Sequence, residues 1–126
     1  VVGTASVTDR HPGKLEDAST IIIKPLFSRH CHTLLGGQIK GGDSVGEMAN
    51  ILAAMIQNGM TDRDIDTLQI GTHPPLTSSP VVYPIIGATV DAISKWYRQE
   101  IRETREVRPE RALAAPTRQN GSADGF

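Results

Sequence analysis

The sequence contains little of what several common classes of protein require. It has a single cysteine, Cys31, among 126 residues, so no disulfide can form within the chain and no dithiol redox centre can reside in it. A single cysteine also favours a reducing compartment, and we expect a cytoplasmic protein. No apolar run approaches the roughly 20 residues that a membrane-spanning helix requires, and the first residues lack the pattern of a secretory signal. We therefore expect no membrane partner.

Charge and glycine spacing exclude further classes. The formal net charge is −1, with acidic and basic residues interspersed, so no basic surface for nucleic acid is expected. The glycine-containing stretch "GGQIKGGDSVG" matches neither the dinucleotide fingerprint G-x-G-x-x-G nor the phosphate loop G-x-x-x-x-G-K-[ST]. We therefore expect the chain by itself to bind neither FAD nor NAD(P)H.

The first third of the chain predicts three strands. Residues 1–8 form the first, and Pro12 and Gly13 mark a surface loop after it. The runs "TIIIKPLFS" and "HTLLGGQIK", separated by "RHC", predict a hairpin. Pro25 lacks a backbone donor, so the strand that contains it should lie at a sheet edge or be bulged there.

The middle of the chain predicts a helix, a short turn and a fourth strand. "DSVGEMANILAAMIQNGM" has Ser44 and Glu47 in capping-box spacing and Gly59 as a left-handed C-terminal cap. Its core stripe is predicted to be Val45, Met48, Ile51, Leu52, Met55 and Ile56. A second capping box, Thr61 with Asp64, opens the short turn, and "LQIG" is predicted to be a strand.

The last helix is predicted from about Pro80, with Pro84 either kinking its first turns or marking the start of its regular part. Its buried face is predicted to be Val82, Ile86, Val90, Ile93 and Tyr97, and the charged stretch after Tyr97 should be solvated. Residues 1–107 are therefore predicted to form one domain and residues 108–126 a disordered tail. The element order predicts an α+β fold, an antiparallel sheet with helices packed on one face.

The stretch "THPPLTSSP" contains the first candidate site residue. Two successive prolines after His73 fix the backbone and push the histidine toward extended geometry. A rigidly held imidazole can take or give a proton near neutral pH. From these residues alone, however, the favoured interpretation is structural: the prolines end a strand before a helix, and His73 caps something locally. Thr77, Ser78 and Ser79 make a hydrolase a weaker alternative, because they share one loop with the ring and no G-x-S-x-G motif occurs.

The string "RHCH" is the second candidate. His30, Cys31 and His32 are metal-ligating residue types, but adjacent ligands splay apart, and zinc sites usually combine two separated pairs. Only His11 and His73 could complete such a site. A solvated hairpin turn is the favoured interpretation. Cys31 could act as a nucleophile only in a positive field, for which Arg29 and the histidines are the candidate sources.

Three motifs together carry a family resemblance. "LLGGQIKGG", "NGMTDRDI" and above all "THPPLTS" resemble the C-terminal dimerisation domain of the FAD-dependent pyridine nucleotide-disulfide oxidoreductases, the family of dihydrolipoamide dehydrogenase, glutathione reductase and mercuric reductase. The resemblance implies that His73 is an acid-base residue serving the other subunit of a homodimer. It also implies FAD- and NAD-binding domains upstream in a longer chain, and a dimerisation domain that is inactive alone.

One position departs from the family pattern. The family places a glutamate five residues after the histidine to orient its ring, and this sequence has Ser78 there. A hydroxyl can accept a hydrogen bond from the ring but gives an imidazolium no charge stabilisation. The departure favours a side branch, such as NADH oxidase-like, coenzyme A disulfide reductase-like or persulfide-handling flavoenzymes.

The dimerisation expectation also has support from the residues themselves. "VVYPII" is apolar at Val81, Val82, Tyr83, Ile85 and Ile86, which would cover a helix on nearly all sides. The side that does not face the sheet should meet a second copy of the chain. A stand-alone interaction module of the same fold, without catalytic activity, is the alternative to an oxidoreductase domain.

Overall fold

The computed structural model describes residues 1–11 and 15–107 of the chain. Within them the elements run β1 (Ala5–Thr8), β2 (Thr20–Phe27), β3 (Leu34–Lys40), α1 (Val45–Gln57), α2 (Asp62–Asp66), a 3₁₀ turn (Pro80–Val82) and α3 (Pro84–Val107). The strands form one antiparallel sheet in the order β1-β2-β3, and the helices pack against it. The predicted α+β class is confirmed.

The sheet is built around β2, whose alternate residues Ile21, Ile23, Pro25 and Phe27 are buried. Because β2 is the central strand, the prediction that Pro25 lies at an edge is wrong. The expected bulge is present one residue later, between Leu26 and Phe27. Pro25 still forms one hydrogen bond toward the segment before β1, because its carbonyl accepts the N–H of Gly3 at 3.1 Å.

The first predicted strand is shorter than expected. Its regular part is β1, and Val2 makes only an isolated bridge to Leu26. A methyl group built on Gly3 would lie 1.8 Å from the carbonyl oxygen of Ala88. The backbone of α3 therefore crosses the start of the chain too closely for a side chain there.

Helix α1 ends as predicted but begins differently. Gly59 has φ +61° and donates its N–H to Ile56, while Met60 donates to Met55, which is a Schellman cap. Ser44 is the N-cap residue, yet its hydroxyl makes no capping bond, so that capping box is wrong. The reason is the backbone of Ser44, at φ −80° and ψ 3°, which is outside the extended region that N-cap residues use.

The core side of α1 follows part of the predicted stripe. Met48, Leu52 and Met55 are buried, whereas Ile56 remains partly exposed. Helix α2 begins with the predicted capping box, because Thr61 and Asp64 exchange side-chain and backbone hydrogen bonds. These bonds from Thr61 hold the pKa of Asp64 below its usual value.

The strand predicted for "LQIG" is wrong. Residues 68–71 have no regular secondary structure and pair with no strand among the described residues. Leu68 and Ile70 instead pack, half-buried, against the core. The apolar alternation that suggested a strand therefore reflects a loop that covers the core.

Helix α3 begins at Pro84, which is one of the two predicted alternatives. Its buried face, however, was predicted wrongly. The core face consists of Ile85, Ala88, Thr89, Ala92 and Trp96. Val82, Val90 and Tyr97, which were predicted to be buried, are about half exposed. Small residues face the sheet because the helix backbone lies so close to Gly3, and a hydropathy pattern weighted toward large side chains misses such a face.

Two predictions concern other parts of the chain. No helix in the described ranges is long and apolar enough to cross a bilayer. The tail predicted for residues 108–126 lies outside the described residues, as do Pro12 and Gly13.

Candidate functional site

His73 lies on the loop formed by residues 71–79, which we call the His73 loop. The loop closes on itself, because the carbonyl of His73 accepts the N–H groups of Leu76 at 2.8 Å and Thr77 at 2.9 Å. The Thr77 hydroxyl completes the closure, accepting the N–H of His73 at 2.9 Å and donating to its carbonyl at 3.1 Å. Pro74 and Pro75 restrict the intervening backbone. His73 is thus an exposed residue on a locally closed turn.

Two further hydrogen bonds fix the His73 loop to the end of β1. The Ser78 hydroxyl donates to the carbonyl of Thr8 at 2.7 Å, and Ser78 is only 2% exposed. The N–H of His11 donates to the carbonyl of Pro74 at 2.9 Å. The loop is therefore held near both of its ends by one short segment of chain.

The role expected of Ser78 needs correction. Its hydroxyl was expected to be available to the His73 ring, but it is buried and bonded to Thr8. The His73 ring has no hydrogen-bond partner among the residues that the structure describes. Ser78 therefore anchors the loop and does not orient the His73 ring. The orientation of the ring depends on the loop backbone and on the groups that face the ring.

The arrangement does not support the hydrolase alternative. The Thr77 hydroxyl is occupied by the backbone of His73, and the Ser78 hydroxyl by Thr8. No Ser or Thr hydroxyl of the described residues bonds to the His73 ring. The ring is therefore not paired with a nucleophile, as the hydrolase alternative would require.

The "RHCH" turn lies at the other end of the sheet. His11 follows the Thr8 end of β1, which pairs with the start of β2, whereas the turn follows the end of β2 at Phe27. Within the described ranges, no three His, Cys, Asp or Glu side chains are grouped to hold a metal ion. The structure thus separates the histidines that a metal site would have required.

His32 has a setting that sequence reasoning missed. Its Nδ1 lies 2.8 Å from Oδ2 of Asp62, whose side chain is buried, and its ring stacks on Trp96 with centroids 3.5 Å apart. Its φ is +60°, in the left-handed region. These partners are 30 and 64 residues away along the chain, so only the fold brings them together. The only sequence feature that pointed to this contact was the acidic residue Asp62 at the start of α2.

Cys31, by contrast, is exposed. Its Sγ lies 3.0 Å from the hydroxyl of Ser28 and 3.0 Å from that of Thr33. Hydrogen bonding by Ser28, followed by that of Thr33, lowers the pKa of the thiol to about 7. The hydroxyls, and not a positive field from Arg29, are the cause.

Comparison with known proteins identifies the family of the chain. Residues 1–82 match the model of the pyridine nucleotide-disulphide oxidoreductase dimerisation domain. No curated protein sequence matches the chain.

Among solved structures, an NAD-dependent persulfide reductase from A. fulgidus is similar over 75% of this chain, with 26% identity and a TM-score of 0.66. The reduced CoADR-RHD protein of Bacillus anthracis is similar over 76%, with 22% identity and a TM-score of 0.62. The water-forming NADH oxidase of Lactobacillus brevis is similar over 78%, with 20% identity and a TM-score of 0.62. The last two likenesses concern the fold. The matches cover 17%, 16% and 22% of those chains, so the present chain corresponds to a small part of each.

Proposed function

Because the chain belongs to the pyridine nucleotide-disulphide oxidoreductase family through its dimerisation domain, we propose that it is this domain of an FAD-dependent NAD(P)H disulfide or thiol oxidoreductase. In this proposal it supplies His73 to the active site of the partner subunit and is inactive alone. The observation that carries the proposal is the His73 loop, which presents an exposed imidazole from a turn that is closed on itself and anchored near both ends.

The chemistry assigned to His73 is proton transfer during thiol-disulfide exchange. As a substrate thiol attacks a disulfide, its S–H proton passes to the neutral imidazole, and the new S–S bond forms while the old one breaks. The leaving thiolate then takes the proton back from the imidazolium, so that the ring is regenerated. One positioned histidine is sufficient for both transfers, because an imidazole can accept a proton and give it back.

The electron-transfer cofactors belong to other domains in this proposal. The sequence has no glycine fingerprint that could hold the phosphates of FAD or NAD(P)H. These cofactors would supply hydride and electron transfer to the disulfide, and we assign their binding to domains upstream in a longer chain. We place that protein in the cytoplasm, because the single cysteine of this domain leaves it without an internal disulfide, which a reducing compartment favours.

The position of Ser78 narrows the substrate class. Its hydroxyl is used by Thr8, so no carboxylate from this loop stabilises a His73 imidazolium. This favours the side branch whose solved members include a persulfide reductase and an NADH oxidase. We propose a persulfide or low-molecular-weight disulfide as the substrate in preference to a lipoamide-type dithiol.

Dimerisation is proposed through apolar residues left exposed beside the His73 loop. Val81 is 89% exposed, Leu76 59% and Val82 50%. These side chains continue into an apolar stripe along α3, described below. Self-association through a two-fold axis would cover them and would bring each His73 loop toward the other copy.

The proposal is tested in the longer enzyme with His73→Ala. A general acid-base group contributes roughly 10²- to 10⁴-fold to turnover, and we expect a loss near the lower limit because no carboxylate supports the ring. His30→Ala, which removes an exposed histidine at the opposite end of the sheet, is the matched control and should leave turnover unchanged. A loss of less than roughly threefold with a normal flavin content would reject the catalytic role.

A stand-alone dimerisation module remains the second candidate, favoured by the lack of a hydrogen-bonded partner for the His73 ring among the described residues. The stand-alone module and the oxidoreductase domain differ in what the natural gene encodes. A glycine fingerprint upstream in the same reading frame supports the oxidoreductase. A protein isolated from its natural source with the mass of this chain alone would support the stand-alone module.

A further inference from the structure

The segment of residues 8–11 provides both hydrogen bonds that anchor the His73 loop. Thr8 supplies the carbonyl that accepts from Ser78, and His11 supplies the N–H that donates to Pro74. Between these two anchors lie Asp9 and Arg10, and both are buried. Buried charged residues in a surface segment are unusual unless they are paired, and their partners show what they hold in place.

Asp9 is fully buried and bonded to Ser19. Its carboxylate accepts the N–H of Ser19 at 2.7 Å and the Ser19 hydroxyl at 2.8 Å, and its own N–H donates to the Ser19 carbonyl at 2.9 Å. Burial alone would raise the pKa of Asp9, but the Ser19 bonds and the neighbouring Arg10 hold it below the usual value. The carboxylate therefore remains ionised and ties the end of β1 to the start of β2.

Arg10 extends the same network. Its guanidinium lies 3.4 Å from the Asp9 carboxylate and 3.4 Å from that of Asp43, which directly precedes the N-cap residue of α1. It also lies 3.9 Å from Asp17. The positions of Thr8 and His11 are thus fixed by side chains that reach β2 and the loop before α1.

We propose that Asp9 and Arg10 are positioning residues for His73. They hold the Thr8 carbonyl and the His11 N–H at the separation that the anchors of the His73 loop require. Their effect on catalysis rests on the proposed function, whereas their effect on the geometry of the loop does not. Neither residue forms a hydrogen bond or ion pair with the His73 ring, so we assign their action to the anchors at Pro74 and Ser78.

Gly42 offers a means of disturbing this network from outside. A methyl group built there would lie 1.9 Å from the Ser19 hydroxyl and 2.2 Å from Oδ2 of Asp9, so Gly42→Ala must displace the Asp9–Ser19 pair. Gly46 is four residues away, and a methyl group there would contact nothing within 4 Å. Gly46→Ala is therefore a matched control with the same chemical change.

The test uses both alanine variants in the 126-residue chain, with circular dichroism to confirm folding. NMR follows the ring resonances of His73 and the hydrogen exchange of the His11 amide. In Gly42→Ala we expect faster exchange at His11 and a shifted or broadened His73 ring signal, while Gly46→Ala resembles the unsubstituted chain. If Gly42→Ala does not fold, Asp9→Asn, which keeps the shape but loses the charge, is measured in its place.

A second measurement links the network to turnover. In the longer enzyme, Gly42→Ala should lower kcat by roughly ten- to a hundredfold, as expected for a displaced catalytic group. It should have no further effect when His73 is already alanine. An equal loss in both backgrounds would contradict positioning through His73.

The two proposals fail in different ways. An unchanged His73 signal and an unchanged His11 exchange rate in a folded Gly42→Ala chain would overturn the positioning role. Normal turnover of His73→Ala would instead overturn the catalytic proposal. The NMR measurements then decide the positioning role by themselves.

Discussion

Cys31 and His32 are neighbours in one turn, but their side chains have different surroundings. Cys31 faces solvent with two hydroxyls beside its sulfur, while the partly exposed His32 ring packs against Asp62 and Trp96. The backbone allows this because His32 adopts a left-handed conformation, which histidine tolerates better than most residues. One four-residue turn therefore contains both a reactive thiol and a structural contact.

The thiol of Cys31 should react with alkylating reagents at neutral pH. Its pKa of about 7 means that the thiolate fraction rises with pH through that value and is about half near pH 7. We expect the rate of reaction with iodoacetamide to show a midpoint there. Ser28→Ala removes the largest cause of the lowered pKa and should move the midpoint upward, as followed by mass spectrometry. A midpoint that Ser28→Ala leaves unchanged would contradict this assignment.

The contacts of His32 should contribute to stability. His32→Ala leaves the buried Asp62 carboxylate without its imidazole partner and removes the stack on Trp96. The loss of a partner for a buried polar group costs about 1–3 kcal/mol, so the free energy of unfolding in a urea titration should fall by that amount. His30→Ala, at an exposed position in the same turn, should change it by less than about 0.5 kcal/mol. Equal effects of the two substitutions would show that the contacts of His32 contribute nothing.

At the scale of elements, α3 has two apolar faces. The buried face runs through Ile85, Ala88, Ala92 and Trp96. What we call the outer stripe consists of Ile86, Val90, Ile93, Tyr97 and Ile101. At about 100° per residue, the outer stripe lies roughly a third of a turn from the buried face. The sequence does contain the apolar periodicity that we interpreted as the core face of α3. The residues that carry it, however, form the outer stripe, which lies beside the core.

The close contact between α3 and the start of the chain predicts a large effect at one glycine. Gly3→Ala would place a methyl group 1.8 Å from the Ala88 carbonyl oxygen, so the helix or the strand must shift. We expect a loss of about 1–3 kcal/mol in the free energy of unfolding, the usual range for overpacking. Gly36→Ala, also in the sheet region but with no atom within 4 Å of the new methyl group, should be neutral or slightly stabilising. A Gly3→Ala chain as stable as Gly36→Ala would contradict the close contact.

These elements also show what sequence reasoning can and cannot reach. Local signals sufficed for the β2–β3 hairpin, the Gly59 cap and the Thr61–Asp64 capping box, because each depends on residues within a few positions. The misassigned face of α3 and the misassigned strand at residues 68–71 depend on what packs against them. The burial of Ser78 depends on Thr8, which is 70 residues away along the chain. The His73 loop could thus be located from sequence, but its anchors could not.

At the scale of the whole molecule, the outer stripe lies on the same helix that follows the His73 loop. Val81 and Val82 lie between the stripe and that loop, Leu76 lies on the loop itself, and all three are substantially exposed. Monomeric proteins rarely expose a contiguous apolar surface of this kind. A second copy that covered the stripe would also lie beside the His73 loop, so dimerisation and the delivery of His73 would use one surface.

The final prediction is that this chain forms a dimer and that the outer stripe is its interface. Full burial of one Val, Ile or Tyr side chain contributes about 1.5–3 kcal/mol, and association costs at least roughly 4 kcal/mol, so several side chains from each copy must take part. Val90→Asp would place an unpaired carboxylate inside the interface and should weaken association by more than about tenfold. Gln99→Asp introduces the same charge at an exposed position on another side of α3 and should have little effect. Sedimentation velocity at micromolar concentration measures both, and a chain that is monomeric without any substitution would contradict the prediction.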